Sequence, residues 1–325
     1  MTRRISLANL FLSLFLAGFI SIVLCKSAVS ANQNSVTHDI DKKIAAIGEY
    51  FNGEEFTYDI GFWWFKKAAV GKIGIHRQND GMYEITLTAE TMGFVGFITS
   101  YRKDIYRTYA EEIDGGKRFR TKRFEKLTII GDRKKNSYTE VDYDKGVYHW
   151  KIVESGKAEK QATEPISSSV LYDDPLTGFY NFRFGVYGQI AEGKEFSIPA
   201  FPAEGISAMS VKIATNEEKA KRLNPVRSLP DKKLHASDSD RGILSAEEAS
   251  DGVNPDPTVI DYLADATTDK GLFGSRTGKV EIWFNKELIP VAAIAKDIIL
   301  VGDVRGTLIE MTSSVGFKKI NPHFQ

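Results

Sequence analysis

The chain has one cysteine, Cys25, in 325 residues. It falls in an N-terminal stretch that reads as a removable signal, so the remainder carries no thiol: no disulfide, no cysteine nucleophile and no thiolate metal ligand. Net charge is lacking as well, with 43 basic against 43 acidic residues, whereas a general nucleic-acid binder needs a basic excess to neutralise phosphate. No nucleic-acid partner is expected. Histidine is scarce: His38, His76, His149, His235 and His323 lie far apart, and no two share one helix face at metal-ligand spacing. A zinc hydrolase is disfavoured, and no metal or cofactor is expected. There is no repeat of fixed length, and Ser167-Ser168-Ser169 lacks the flanking glycines of an exposed serine nucleophile, reading simply as a loop. What remains, at 42% hydrophobic and 11% aromatic, is ample for a packed core.

The N-terminus sets the expected compartment. After Arg3 and Arg4, Ile5 to Cys25 is uncharged and mostly apolar, and Ser27-Ala28-Val29-Ser30-Ala31 supplies small residues for a signal peptidase. Cleavage after Ala31 and a periplasmic or otherwise exported location are expected, with no transmembrane span afterwards. The competing reading is an uncleaved anchor, since 21 uncharged residues can cross a bilayer. Lipid attachment at Cys25 fits poorly, because Leu24 stands where a small residue is needed. Residues 1–31 hold three basic residues (Arg3, Arg4, Lys26) and no acidic one, leaving 40 basic against 43 acidic and a net charge of −3.

Residues 32–53 read as a polar lead and a short helix with Ile40, Ile44, Ala45, Ile47 and Phe51 on one stripe. From Glu54 the period becomes two. Phe56, Tyr58, Ile60, Phe62 and Trp64 alternate with Thr57, Asp59 and Gly61, which places Trp63 and Trp64 on a strand with opposite faces. Strands follow at 70–77, 82–89, 103–113, 118–129, 137–142 and 147–154, split by Asn79-Asp80-Gly81, Asp114-Gly115-Gly116 and Asp144-Lys145-Gly146. Residues 93–98 read as a short helix or loop over one end of the sheet. Asp174 reads as the N-cap of a helix whose first residue is Pro175. Residues 216–277, with Asn224-Pro225, Leu229-Pro230 and Asn254-Pro255-Asp256-Pro257, read as an irregular insertion with at most two short helices. Strands return at 279–284, 289–300 and 302–312. The expected fold is mainly β: a large curved antiparallel sheet or incomplete barrel, a meander with a few short helices. The expected organisation is a signal at 1–31, the lead and short helix at 32–53, and one β-rich domain at 54–325 carrying the insertion.

Five segments in this order carry a family resemblance: Gly53-Glu54-Glu55-Phe56-Thr57-Tyr58-Asp59-Ile60 with Ala69-Val70-Gly71-Lys72-Ile73, then Asp174-Pro175-Leu176-Thr177-Gly178-Phe179-Tyr180, then Gly278-Lys279-Val280-Glu281-Ile282-Trp283-Phe284 leading to Ile289-Pro290-Val291. The chain resembles the domain of unknown function 3108 family of exported bacterial proteins over about residues 50–214 and 278–312. The excursion at 216–277 departs from that family. The resemblance implies an exported, mostly β protein, with no catalytic residue to carry over.

Candidate sites were weighed against plain structural roles. Asp238 and Asp240 invite a calcium loop, but Ile243 and Ala249 stand where the turn glycine and bidentate glutamate belong. Asp173 and Asp174 are adjacent carboxylates beside aromatics, the raw material of acid–base work, although capping already explains Asp174. Residues 101–135 hold twelve basic and six acidic residues. Within them Lys117, Phe119, Thr121 and Arg123 alternate with Arg118, Arg120, Lys122 and Phe124, charging both faces as an exposed strand or guarded sheet edge would be. The same Lys117, Arg118, Arg120, Lys122 and Arg123 are candidates for anionic lipid or polysaccharide. Trp63, Trp64, Phe94, Phe97, Tyr180, Phe182 and Trp283 are core by default, and line an apolar cavity if the sheet curls. The reading that follows is a non-enzymatic exported protein binding an apolar or amphipathic envelope component, such as a lipid, or an envelope protein. The alternative is a hydrolase of envelope polymer using Asp173, Asp174 or Asp59, and a third reading makes 216–277 a partner-binding arm.

Overall fold

The computed structural model describes residues 46–62, 64–167, 169–201, 207–223, 260–268, 270, 274–299, 301–313 and 316–318. The signal stretch, Cys25, Trp63 and the 237–249 acidic loop lie outside them. In chain order the elements are α1 (Ile47–Phe51), β1 (Glu55–Phe62), β2 (Phe65–Arg77), β3 (Tyr83–Thr91), α2 (Gly93–Ile98), β4 (Lys103–Ile113), β5 (Arg118–Ile130), β6 (Arg133–Asp142), β7 (Val147–Glu154) and β8 (Lys160–Pro165). Then come α3 (Pro175–Phe184), β9 (Glu195–Ala200), β10 (Ser207–Ile213), α4 (Asn216–Leu223), β11 (Tyr262–Thr267), β12 (Lys279–Phe284), β13 (Pro290–Ile298), β14 (Gly302–Ser313) and β15 (Gly316–Lys318).

All strands join one antiparallel sheet in the order β8-β7-β6-β5-β4-β3-β2-β1-β14-β13-β12-β11-β10-β9, with β15 paired to β14. β1 sits mid-sheet, between its sequence neighbour β2 and the distant β14, with Glu55 opposite Thr312 and Phe62 opposite Val304. The sheet wraps around α3. Leu176 and Tyr180 of α3 pack with Phe56, Ile73, Ile85, Tyr106 and Phe124 from β1 to β5, while Phe182 packs with Phe196, Ile213, Ala264 and Phe284 from β9 to β12. Near the two sheet edges Tyr148 of β7 stacks on Phe201, just past β9, at 6.2 Å between ring centroids. β8 and β9 are not hydrogen-bonded neighbours, so the barrel stays open. Asp173 forms an isolated parallel bridge to Ala200, its N–H donating to Pro199 O at 2.9 Å.

Helix α3 is short and buried on nearly every side, so its polar groups need partners inside. The Asp174 carboxylate accepts five hydrogen bonds: from Thr108 Oγ1 (2.6 Å), Thr121 Oγ1 (2.7 Å), Thr177 Oγ1 (2.6 Å), Leu176 N (2.8 Å) and Thr177 N (3.2 Å). Asn181 accepts from Phe119 N and donates to Phe119 O, standing in for a strand neighbour of β5. The fully buried Arg183 makes a fork with Glu54 at 2.5 and 2.9 Å and donates to Leu288 O, its guanidinium 4.7 to 5.5 Å from the ring centres of Phe51, Phe56, Phe179 and Tyr180. Gly185, at φ +87, ends the helix in the left-handed conformation that glycine adopts without penalty.

Three sequence expectations change here. β1 stops at Phe62, and Trp64 lies in the turn to β2, because Phe62 already pairs back to Phe65 and closes the hairpin. The faces of β5 are not those of strict alternation. Arg123 pairs with Tyr109 but Thr121 with Ala110, so Lys122 is an extra residue, and this bulge brings Phe124 onto the buried face with Phe119 and Thr121. β5 is also no sheet edge, being paired on both sides. Finally, residues 216–277 are not wholly irregular: α4 and β11 lie within them, and β11 pairs with both β10 and β12.

Candidate functional site at the apolar end of the sheet

The strands have two ends, and they differ in what they show to water. One end comprises the turns around 62–65, 92–102, 131–132, 155–159 and 299–301. These form a continuous border: Met92 N donates to Ala68 O, Thr91 N to Arg102 O, Gly131 N to Ser100 O and Ser155 N to Lys134 O. All nine exposed large apolar side chains among the described residues stand on it: Trp64, Met92, Phe94, Phe97, Ile98, Tyr101, Ile130, Val153 and Ile299. Trp64, Phe97 and Phe94 are 77%, 71% and 68% exposed. Helix α2 buries Val95 and Gly96 and turns both of its phenylalanines outward. Tyr101 packs against Gly96, with Ser100 and Tyr101 both at positive φ, a conformation costly for side-chain-bearing residues.

Burial on the concave face falls away toward this end. Cross-strand partners share a face, and the pairs run in rows: Ile75, Ile85, Thr108 and Phe124; then Ile73, Leu87, Tyr106 and Lys126; then Gly71, Ala89, Asp104 and Thr128. The first row is buried, whereas Leu87, Lys126, Ala89, Asp104 and Thr128 are only half-buried. In β1, Phe56 is buried but Tyr58, Ile60 and Phe62 are half-buried. The result is a trough with apolar residues from β1 to β3 on one side. Beside them on β4 and β5, Arg102 Nε donates to Asp104 at 2.7 Å and Thr128 Oγ1 donates to it at 2.7 Å.

The family model for the protein of unknown function (DUF3108) matches residues 57–229. The chain belongs to this family. The match spans β1 to α4, including α3 and all of the apolar end but the turn at Ile299, while the C-terminal strands lie beyond it. No curated protein matches the chain. Among solved structures it is similar to a β-barrel-like protein of domain of unknown function DUF1849 from Brucella abortus, at 14% identity and a TM-score of 0.42, covering 83% of this chain and 99% of that one.

In this DUF3108 member the aromatic candidates divide. Trp64, Phe94 and Phe97 gather at the exposed end, whereas Tyr180, Phe182 and Trp283 are buried; Trp63 lies outside the described residues. The basic candidates are spread along β5 and mostly tied down. Arg118 meets Asp173 at 2.6 Å, Arg120 Nε meets Glu111 at 2.7 Å and lies over Tyr143, Lys122 is 3.8 Å from Glu111, and Arg123 meets Glu125 at 2.7 Å; Lys117 is exposed. The carboxylates are also occupied. Asp59 pairs with Lys67 at 3.0 Å, Asp174 has its five donors, and Asp173 takes hydrogen bonds from Arg118 and from the Tyr187 hydroxyl. Burial lifts the Asp173 carboxyl to about 6 against the pull of Arg118, and burial also pushes the Tyr187 hydroxyl up. No group of three or more His, Cys, Asp or Glu suited to a metal occurs among the described residues, and no described helix is long and apolar enough to cross a membrane.

Sequence reasoning missed the Glu54–Arg183 pair and the trough. The first left one signal, a lone arginine in the aromatic run Phe179 to Phe184, where a buried charge demands a partner. The second left none, because half-burial along a strand is set by what the curled sheet leaves uncovered.

Proposed function

We propose that this is an exported envelope protein that works by binding, and that the half-open trough with its apolar end holds an apolar or amphipathic envelope component. The gathering of every exposed large apolar side chain among the described residues at one end carries the reading, since soluble surfaces rarely concentrate such groups without a partner. The trough adds chemistry: an apolar strip of Tyr58, Ile60, Leu87 and Ala89 lies beside Asp104, Lys126 and Thr128 on the same sheet face, an arrangement suited to a molecule with an acyl part and a polar head. Catalysis by Asp173, Asp174 or Asp59 finds little support in carboxylates already committed to caps and ion pairs. Export rests on the N-terminal stretch. Its check is N-terminal sequencing of the envelope-fraction protein, which should begin at Asn32.

The binding test uses the chain from Asn32, purified without detergent and titrated with a pyrene-labelled lysophospholipid. Saturable fluorescence is expected, reduced at least tenfold in affinity by Ile60→Asp, while Lys117→Ala binds as the wild type. Absence of saturable binding, together with no organic-soluble molecule retained in mass spectrometry, overturns the reading.

A further inference from the structure

We infer that the apolar end is a membrane-docking face and that its partner is the surface of a bilayer carrying anionic headgroups. The inference rests on the proposed binding role and names its setting. Exposed aromatics alone would fit several partners; the charge around them narrows the choice. The border stretches 62–67, 92–103, 130–135, 155–159 and 299–301 contain eight basic residues (Lys66, Lys67, Arg102, Lys103, Arg133, Lys134, Lys135 and Lys157) and two acidic residues, Asp132 and Glu159; Lys67, Arg102, Lys103 and Lys157 are ion-paired to Asp59, Asp104, Glu90 and Glu154 just outside these stretches. The turns at the opposite end, 78–82, 114–117, 143–146 and 285–289, contain three basic and four acidic residues and none of the exposed large apolar side chains. Basic residues are therefore concentrated where the aromatic side chains protrude, in a chain whose overall charge is balanced.

The placement of the two groups matches a bilayer interface. Trp64 and Tyr101 sit on turns and Phe94 and Phe97 on the short helix α2, where they can enter the boundary between headgroups and acyl chains without any strand leaving the sheet. Arg133, Lys134 and Lys135 are exposed at the start of β6; Lys135 lies across from Glu154 of β7, and Arg133 and Lys134 remain available to phosphate oxygens. Lysines and arginines beside an anionic surface add attraction that salt weakens. Ser100 and Tyr101, both at positive φ, set the Tyr101 ring against Gly96 at a conformational cost while leaving it 57% exposed. Docked this way, the trough opens directly onto the lipid surface.

The experiment is vesicle flotation with the chain from Asn32, using phosphatidylcholine alone and phosphatidylcholine with 30% phosphatidylglycerol, at low and high salt. Expected are at least tenfold tighter binding to the anionic vesicles, loss of that advantage at high salt, and at least tenfold weakening by either Phe94→Ser with Phe97→Ser or Lys134→Glu with Lys135→Glu. All four residues are exposed, so unchanged denaturation midpoints separate lost docking from lost folding. Ile60→Asp, which blocks the trough, should still float. Equal binding to both vesicle types overturns the anionic assignment. So does a failure to float when the lysophospholipid still binds, an outcome that leaves the proposed function standing. A dimer that disperses on Phe94→Ser with Phe97→Ser, without vesicle binding, would show instead that a second copy covers this face.

Discussion

Toward the end of the sheet formed by the turns 78–82, 114–117 and 143–146, the Asp174, Asn181 and Arg183 side chains that α3 carries into the interior find hydrogen-bond partners; at the other end, large apolar groups stand in water. Helix α3 explains the first. Asp174, Asn181 and Arg183 would each be costly to bury alone, and they meet partners on β4, on β5 and at Glu54 just before β1. The second has no such internal explanation, because α2 hides only Val95 and Gly96 while projecting Phe94 and Phe97. Burial of charge without solvent and exposure of ring without cover are opposite departures from the usual arrangement. The first is resolved inside the fold and serves stability; the second needs something outside it and points to function.

Four measurements break or sharpen this contrast. The largest effect is expected from Glu54→Ala, which leaves the Arg183 guanidinium buried without its carboxylate; loss of about 3–5 kcal/mol in urea unfolding is expected. Asp174→Ala removes the helix cap and strands three hydroxyls, at a cost of about 2–4 kcal/mol by the same measurement. Asp173 tests the seam between the sheet edges through pH. Its carboxyl titrates near 6 in the fold against 3.8 unfolded, so between these values the folded chain retains a proton that the unfolded chain has released. Its contribution to stability is fully present below about pH 4 and is lost as pH rises through 6, by up to about 3 kcal/mol. The stability of the wild type relative to Asp173→Asn should therefore fall across that window, and a level difference would show an ordinary carboxyl. The smallest effect belongs to the apolar end: Phe94→Ser with Phe97→Ser should change unfolding stability by no more than about 0.5 kcal/mol per site. A loss several times larger would mean that these rings are packed, and the contrast between the ends would disappear.

The meander was legible in the sequence wherever a glycine or asparagine turn separated alternating runs. The bounds of β4, β7 and β12 agree with the reading at 103–113, 147–154 and 279–284, and Asp174 caps α3 with Pro175 as its first residue. Strands without such punctuation escaped. β8 has no apolar residue larger than Ala162 and Pro165, and β11 is a short Tyr262–Thr267 run beyond a proline-rich stretch, so neither carries a strong period-two signal. The bulge at Lys122 was hidden for a different reason, since one extra residue changes the phase of a strand without changing its composition. Of the aromatic candidates, Phe94 and Tyr180 look alike in sequence, both following glycine or an aromatic in an apolar run. What separates them is α3 lying within the wrapped sheet and α2 on its border, a distinction made by tertiary placement alone.

The position of β1 between β2 and β14 also governs when the molecule can become complete. Residues 55–165 can assemble eight strands by successive hairpins, each joining its immediate predecessor, but the other side of β1 has to wait for residues 302–313. Until then a row of backbone N–H and C=O groups is left open beside the segment bearing every apolar turn from Trp64 to Val153. A chain stopped before Gly302 would thus combine an unpaired edge with the exposed apolar end, the pairing that drives strand-to-strand aggregation. Strand β14 acts as the shutter of the sheet, and the folding chain reaches a safe state only when this strand arrives.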